Sequence, residues 1–155
     1  MENIDVLILL GSKSDIEIAS VCGDILSKFG VPFKQEISSA HRQPDRTVSL
    51  IKEAESAGVK VIIAAAGMAA HLPGVVASHT TLPVIGVPLA VSALSGVDSL
   101  YSIVQMPAGI PVACVSIGSH GAKNAALLAI EILALSDNAL KDKLKAYRKE
   151  LTGGQ

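Results

Sequence analysis

Short β-type apolar runs closed by Gly or Pro alternate with helix-type patterns along the whole chain, and this alternation limits the fold more than any other feature. Ile4–Leu10 is a continuous apolar run ended by Gly11. From about Asp15, Ile18, Val21, Cys22, Ile25, Leu26 and Phe29 recur at helical spacing until Gly30. Phe33–Ser38 is strand-like, and Pro44 then opens a helix whose inner face carries Val48, Ile51 and Ala54 before Gly58. Val59–Ala65 is a third strand, followed by a Gly/Ala-rich turn and a short helix near Pro73–His79. Pro83–Val87 is a fourth strand that Pro88 is expected to stop, Val97–Gln105 a helix, and Ile110–Ile117 a fifth strand. Ala122–Leu135 and a last amphipathic segment over 138–151 are helices, and Thr152–Gln155 reads as a frayed tail.

Five strands separated by helices require right-handed crossovers, and hence a three-layer αβα sandwich around a parallel sheet. Composition agrees. Half of the 155 residues are hydrophobic but only 3% are aromatic, with no Trp, so the core is Val, Ile, Leu and Ala, as in a sheet covered on both faces. The strand order expected is 2-1-3-4-5, flavodoxin-like, in a single domain over residues 1–155. No repeat or linker divides the chain.

Thirteen basic against 14 acidic residues, without a run of one sign, argue against nucleic acid or an anionic membrane as partner. Cys22 and Cys114 form neither a disulfide framework nor a metal-ligand set, and both read as small buried hydrophobes. No export signal or membrane-length apolar run is seen, so the expected location is the cytoplasm.

In such sheets ligands bind beyond the carboxyl ends of the strands, which singles out three loops. Gly11-Ser12-Lys13-Ser14-Asp15 offers N–H groups and hydroxyls at a helix start, fit for a phosphate, although Ser14 or Asp15 could serve only as a cap. It is neither a Walker loop nor a dinucleotide fingerprint. Ser38-Ser39-Ala40-His41-Arg42-Gln43-Pro44-Asp45 carries His41, an imidazole able to give or take a proton, beside Arg42, a cation at a positive helix end where an anion would relieve it. In Ala65-Ala66-Gly67-Met68-Ala69-Ala70-His71-Leu72-Pro73-Gly74 main-chain groups could face a ligand, or the small residues could pack against a neighbouring subunit; His71 is a second titratable candidate.

These loops, together with the stretches Ala93–Pro107 and Asn124–Ala129, closely resemble the 5-(carboxyamino)imidazole ribonucleotide mutase family, class I PurE, in order and spacing over nearly the whole chain. The resemblance implies a flavodoxin-like subunit of a homo-octamer with sites at subunit contacts. It also implies conversion of 5-carboxyamino-1-(5-phosphoribosyl)imidazole to 5-amino-1-(5-phosphoribosyl)imidazole-4-carboxylate without metal or cofactor. It assigns His41 as the acid–base, and Ser12, Asp15 and Arg42, with Ser14 and Ser39, to the nucleotide. Gly67, Met68, Ala70, His71 and Leu72 would enclose the migrating carboxyl group. Met68 stands where many members carry Gly, and Met68-Ala69-Ala70-His71 differs from the Arg-Ser-Asn type of a branch using free carbon dioxide.

Three alternatives remain. One is that carboxylase branch, acting on aminoimidazole ribonucleotide. Another is a flavodoxin-like FMN carrier, for which only Tyr101 could stack on the flavin at the later loops. The third is a receiver-like domain, in which Asp15 would need an acidic partner.

Overall fold

The computed structural model describes residues 3–153; Met1, Glu2 and the last two residues of the expected tail, Gly154 and Gln155, lie outside it. Five parallel strands, β1 (Val6–Leu10), β2 (Phe33–Ile37), β3 (Val61–Gly67), β4 (Val84–Leu89) and β5 (Ala113–Cys114), form one sheet in the order β2-β1-β3-β4-β5. The register runs Val6↔Phe33 and Val6↔Val61 on the two sides of β1. The expected order is the observed one.

Period-two alternation sends the side chains of β1, β3 and β4 into two cores. Val6, Ile8, Leu10, Val61, Ile63, Ala65, Ile85 and Val87 join Leu26 and Phe29 of α1 (Ile16–Phe29) with Ala125 and Ala129 of α5 (Ser119–Leu133). Leu7, Leu9, Ile62, Ala64 and Ala66 pack on the opposite face with Ile51 of α2 (Pro44–Ser56), Val76 of α3 (Leu72–Ser78) and Ile103 of α4 (Val97–Val104). The last helix, α6 (Asn138–Leu151), is capped by Asp137 and buries Leu140 and Tyr147 against the first core. Among the described residues no helix is long and apolar enough to cross a membrane.

Two strand expectations need correction. Pro88 does not stop β4, which continues to Leu89 while pairing with β3 at Ala66↔Pro88 and Gly67↔Leu89. In a parallel ladder alternate residues bond to opposite neighbours. Gly86 and Pro88 both turn toward the β5 side, where the Gly86 carbonyl accepts from Val115 and the Pro88 carbonyl from Gly118. The missing N–H therefore costs nothing on the β3 side. It does end the β5 ladder, which pairs only at Ala113 and Cys114 instead of extending over Ile110–Ile117. Likewise β3 runs two residues beyond Ala65, making Ala66 and Gly67 part of the strand that delivers the third loop.

Candidate active site

The first loop leaves β1 with the Gly11 N–H donating to Ala65 O (3.1 Å). Ser12 caps a short 3-10 turn over Lys13–Asp15, its Oγ accepting from Ser14 N (3.4 Å) and Ser14 Oγ (3.0 Å). Neither Ser14 nor Asp15 caps α1 with its side chain, contrary to the simplest reading of this loop. Asp15 is 3% exposed. Burial pushes its carboxyl above the ordinary value, against the pull of hydrogen bonds from the Ser12 backbone and the Ser14 hydroxyl. A carboxylate buried beside a cavity with only these partners retains capacity to accept from a ligand.

The second loop is tied down from below. Ser38 and Thr47 are both fully buried, and their hydroxyls meet at 2.8 Å. Ser39 then organises the exposed part: its carbonyl accepts from Gln43 N (2.8 Å), and its hydroxyl from Arg42 N (3.3 Å) and Nε (3.4 Å). Arg42 precedes the Gln43 N-cap of α2, and no carboxylate pairs with it among the described residues. Its fork is available to an anion.

In the third loop Met68 (φ 56°) and Ala70 (φ 35°) hold left-handed backbone. Such conformations cost L-residues energy and concentrate at functional sites. The turn closes with Ala70 N donating to Gly67 O (3.0 Å). Gly67 is required by close approach, since a Cβ there would overlap Val91 Cγ2 and sit 3.3 Å from Leu89 O. His71, at the N-cap of α3, brings Nδ1 into hydrogen-bond contact with His41 Nε2, the rings perpendicular and 4.7 Å apart.

One cavity of about 460 Å³ gathers all eleven side chains and main-chain positions singled out from the sequence: Ser12, Ser14, Asp15, Ser39, His41, Arg42, Gly67, Met68, Ala70, His71 and Leu72. A second, of about 440 Å³, shares Gly11, Ser12, Ser39 and Arg42 with it and adds Lys13 and Gln43. The composite cleft thus has a cationic, hydroxyl-rich end and a nearly uncharged wall of Ala66, Gly67, Ala69 and Ala70. Val91 also lines it and was missed. It follows β4 at the same sheet edge, one strand beyond the three whose loops the sequence singles out. Cys22 and Cys114 lie outside the cleft; burial pushes the Cys22 thiol up to about 12 and raises Cys114 as well. No cluster of three or more His, Cys, Asp or Glu able to hold a metal occurs among the described residues.

A family model described as AIR carboxylase matches residues 5–153. The chain belongs to the AIR carboxylase family. Within that family, the N5-carboxyaminoimidazole ribonucleotide mutase of Brucella melitensis is 55% identical over 150 residues, covering 97% of this chain and 93% of that one. The protein of the same name from Escherichia coli K12 is 53% identical over 147 residues, covering 95% and 87%. Among solved structures, Treponema denticola PurE has a TM-score of 0.88 at 35% identity, covering 96% of this chain and 91% of that chain. The family expected from the loop motifs is the family found.

Proposed function

We propose that this chain is an N5-carboxyaminoimidazole ribonucleotide mutase, an isomerase of purine biosynthesis that moves a carboxyl group from the exocyclic nitrogen of the imidazole to ring carbon 4. The observation that carries the reading is the composite cleft. An anion-binding end with Arg42, Lys13 and Ser12 adjoins a small, uncharged wall served by His41. The first end suits a phosphoribosyl group and the second a carboxyl group that becomes carbon dioxide.

Protonation of the carbamate nitrogen breaks its bond to the carboxyl carbon and releases carbon dioxide. The Ala/Gly wall holds that molecule beside nucleophilic carbon 4, where proximity replaces capture from solution. Carbon 4 attacks, and loss of its proton restores the aromatic ring. His41 donates in the first step and accepts in the last, leaving no net proton change. Main-chain N–H groups of 67–72 stabilise the new carboxylate, Ser12 and Arg42 bind the phosphate, and Asp15 accepts from sugar hydroxyls.

The same reading places the enzyme in the cytoplasm as a homo-octamer. Val91, which lines the cleft, and exposed Leu94, Val97, Tyr101 and Val104 on the segment that follows it support the assembly. The test is turnover of 5-carboxyamino-1-(5-phosphoribosyl)imidazole by purified protein in the presence of chelator and without ATP. Product should form with wild type and be lost with His41→Asn. Full turnover by His41→Asn would remove His41 from the mechanism.

A further inference from the structure

We propose that His71 is a positioning residue that fixes the tautomer of His41, so that one ring atom, His41 Nδ1, both gives and takes back the migrating proton. This rests on His41 being the proton-transfer residue. The observation is the contact of His41 Nε2 with His71 Nδ1, made across two loops 30 positions apart in the chain. Because the two nitrogens share one hydrogen, one must donate and the other accept.

The proton inventory of the reaction decides which. To protonate the carbamate nitrogen, His41 must begin as an imidazolium with N–H on both ring atoms. Its Nε2–H then donates to His71 Nδ1, which requires neutral His71 with its own proton on Nε2. When His41 Nδ1–H passes to the substrate nitrogen, His41 is left neutral with its remaining proton on Nε2, still held by His71. Its Nδ1 now carries a lone pair at the position from which the proton departed. Carbon dioxide adds to carbon 4, the carbon 4–hydrogen bond breaks toward Nδ1, and the imidazolium is restored. No proton is exchanged between His41 and His71 at any step.

Without the acceptor, neutral His41 is free to hold its proton on Nδ1, and that species cannot accept from carbon 4. The rings are perpendicular and not stacked, a setting that lets one nitrogen face the other as in a hydrogen bond. Both residues are exposed and His71 begins a helix after a strained turn, so the contact serves the cleft rather than the core.

The experiment compares His71→Leu, which removes the acceptor, with His71→Asn, whose amide oxygen can stand near the former Nδ1, in steady-state kinetics with the carbamate substrate. For His71→Leu, kcat should fall about 10- to 100-fold, as when an orienting partner of a functional imidazole is removed, while KM changes by less than about threefold. His71→Asn should recover most of that loss. Nitrogen-15 NMR of His41 in substrate-free protein at alkaline pH should show the proton on Nε2 in wild type and a mixture of tautomers in His71→Leu. Wild-type kcat in His71→Leu, or an unchanged His41 tautomer, overturns the proposal. His41→Asn run alongside separates the two levels: its retained turnover sinks the underlying mechanism, whereas its loss with fully active His71→Leu sinks only the role of His71.

Discussion

The Ser38 hydroxyl donates to Thr47 Oγ1, because the Thr47 hydrogen is committed to the Gln43 carbonyl at 3.2 Å. This buried chain links the end of β2 to the first turn of α2 and spans the loop that carries His41 and Arg42. Thr47→Val keeps the shape but leaves the buried Ser38 hydroxyl without its acceptor, while Gln43 O keeps only the backbone N–H of residue 47. Stability should fall by about 1–3 kcal/mol in urea unfolding, and kcat/KM should fall with it as the loop loses its support. An unchanged midpoint and unchanged kcat/KM would show that the loop is held by its exposed bonds alone.

Gly67 and Val91 occupy one space. Gly67→Ala should destabilise the protein by about 1–3 kcal/mol through overpacking, and Val91→Ala in the same chain should restore part of the loss. Thermal unfolding of the two single variants and the double variant measures the coupling. Simple additivity would show that the loop moves aside instead.

The fold was legible because every strand except the edge strand β2, which carries Lys34, Gln35 and Glu36, lies in an apolar run, and the helices carry their own periodicity and stop signals. The ends of β4 and β5 were not, because the effect of Pro88 depends on which neighbour its absent N–H would have faced. That is a property of sheet register, invisible along the chain. The residues lining the candidate cleft could be singled out from chemistry at the strand ends, since Ser12, His41 and His71 all follow strands. The pairing of His41 with His71 could not, because two loops far apart in sequence meet only once β1 and β3 lie side by side. Asp15 was open to reading as a helix cap for the same reason: only the folded chain shows its carboxylate to be buried beside the cleft.

Asp15 gives a pH signature. Burial raises its folded-state pKa above the ordinary 3.8, so folding favours the protonated acid. The stability this supplies is full below pH 3.8 and is lost as pH rises through the folded-state value. At neutral pH the buried charge is a cost retained for binding. Asp15→Asn should therefore be more stable than wild type at neutral pH, with an advantage that grows as pH rises above about 4 in denaturant titrations. Its KM for the ribonucleotide should rise about tenfold through loss of a charged acceptor. A variant less stable at neutral pH than at acid pH, relative to wild type, would reverse the sign and refute the assignment.

The exposed apolar side chains on and before α4 bear on assembly. Leu94 and Tyr101 are each 63% exposed, large surfaces for a chain to leave in water. Light scattering should give eight times the chain mass for wild type. Leu94→Glu combined with Tyr101→Glu should reduce it to smaller species. A wild-type monomer with full turnover would remove the octamer from the reading.

In the proposed reaction the carboxyl group leaves nitrogen and reaches carbon 4 without escaping the cleft. The direct measurement is turnover of substrate labelled with carbon-13 in its carbamate carboxyl, in a large excess of unlabelled bicarbonate, with the product read by mass spectrometry. A mutase with a closed carbon dioxide pocket returns product that retains the label. Product stripped of label, together with turnover of aminoimidazole ribonucleotide and bicarbonate alone, would contradict it and identify a carboxylase using free carbon dioxide.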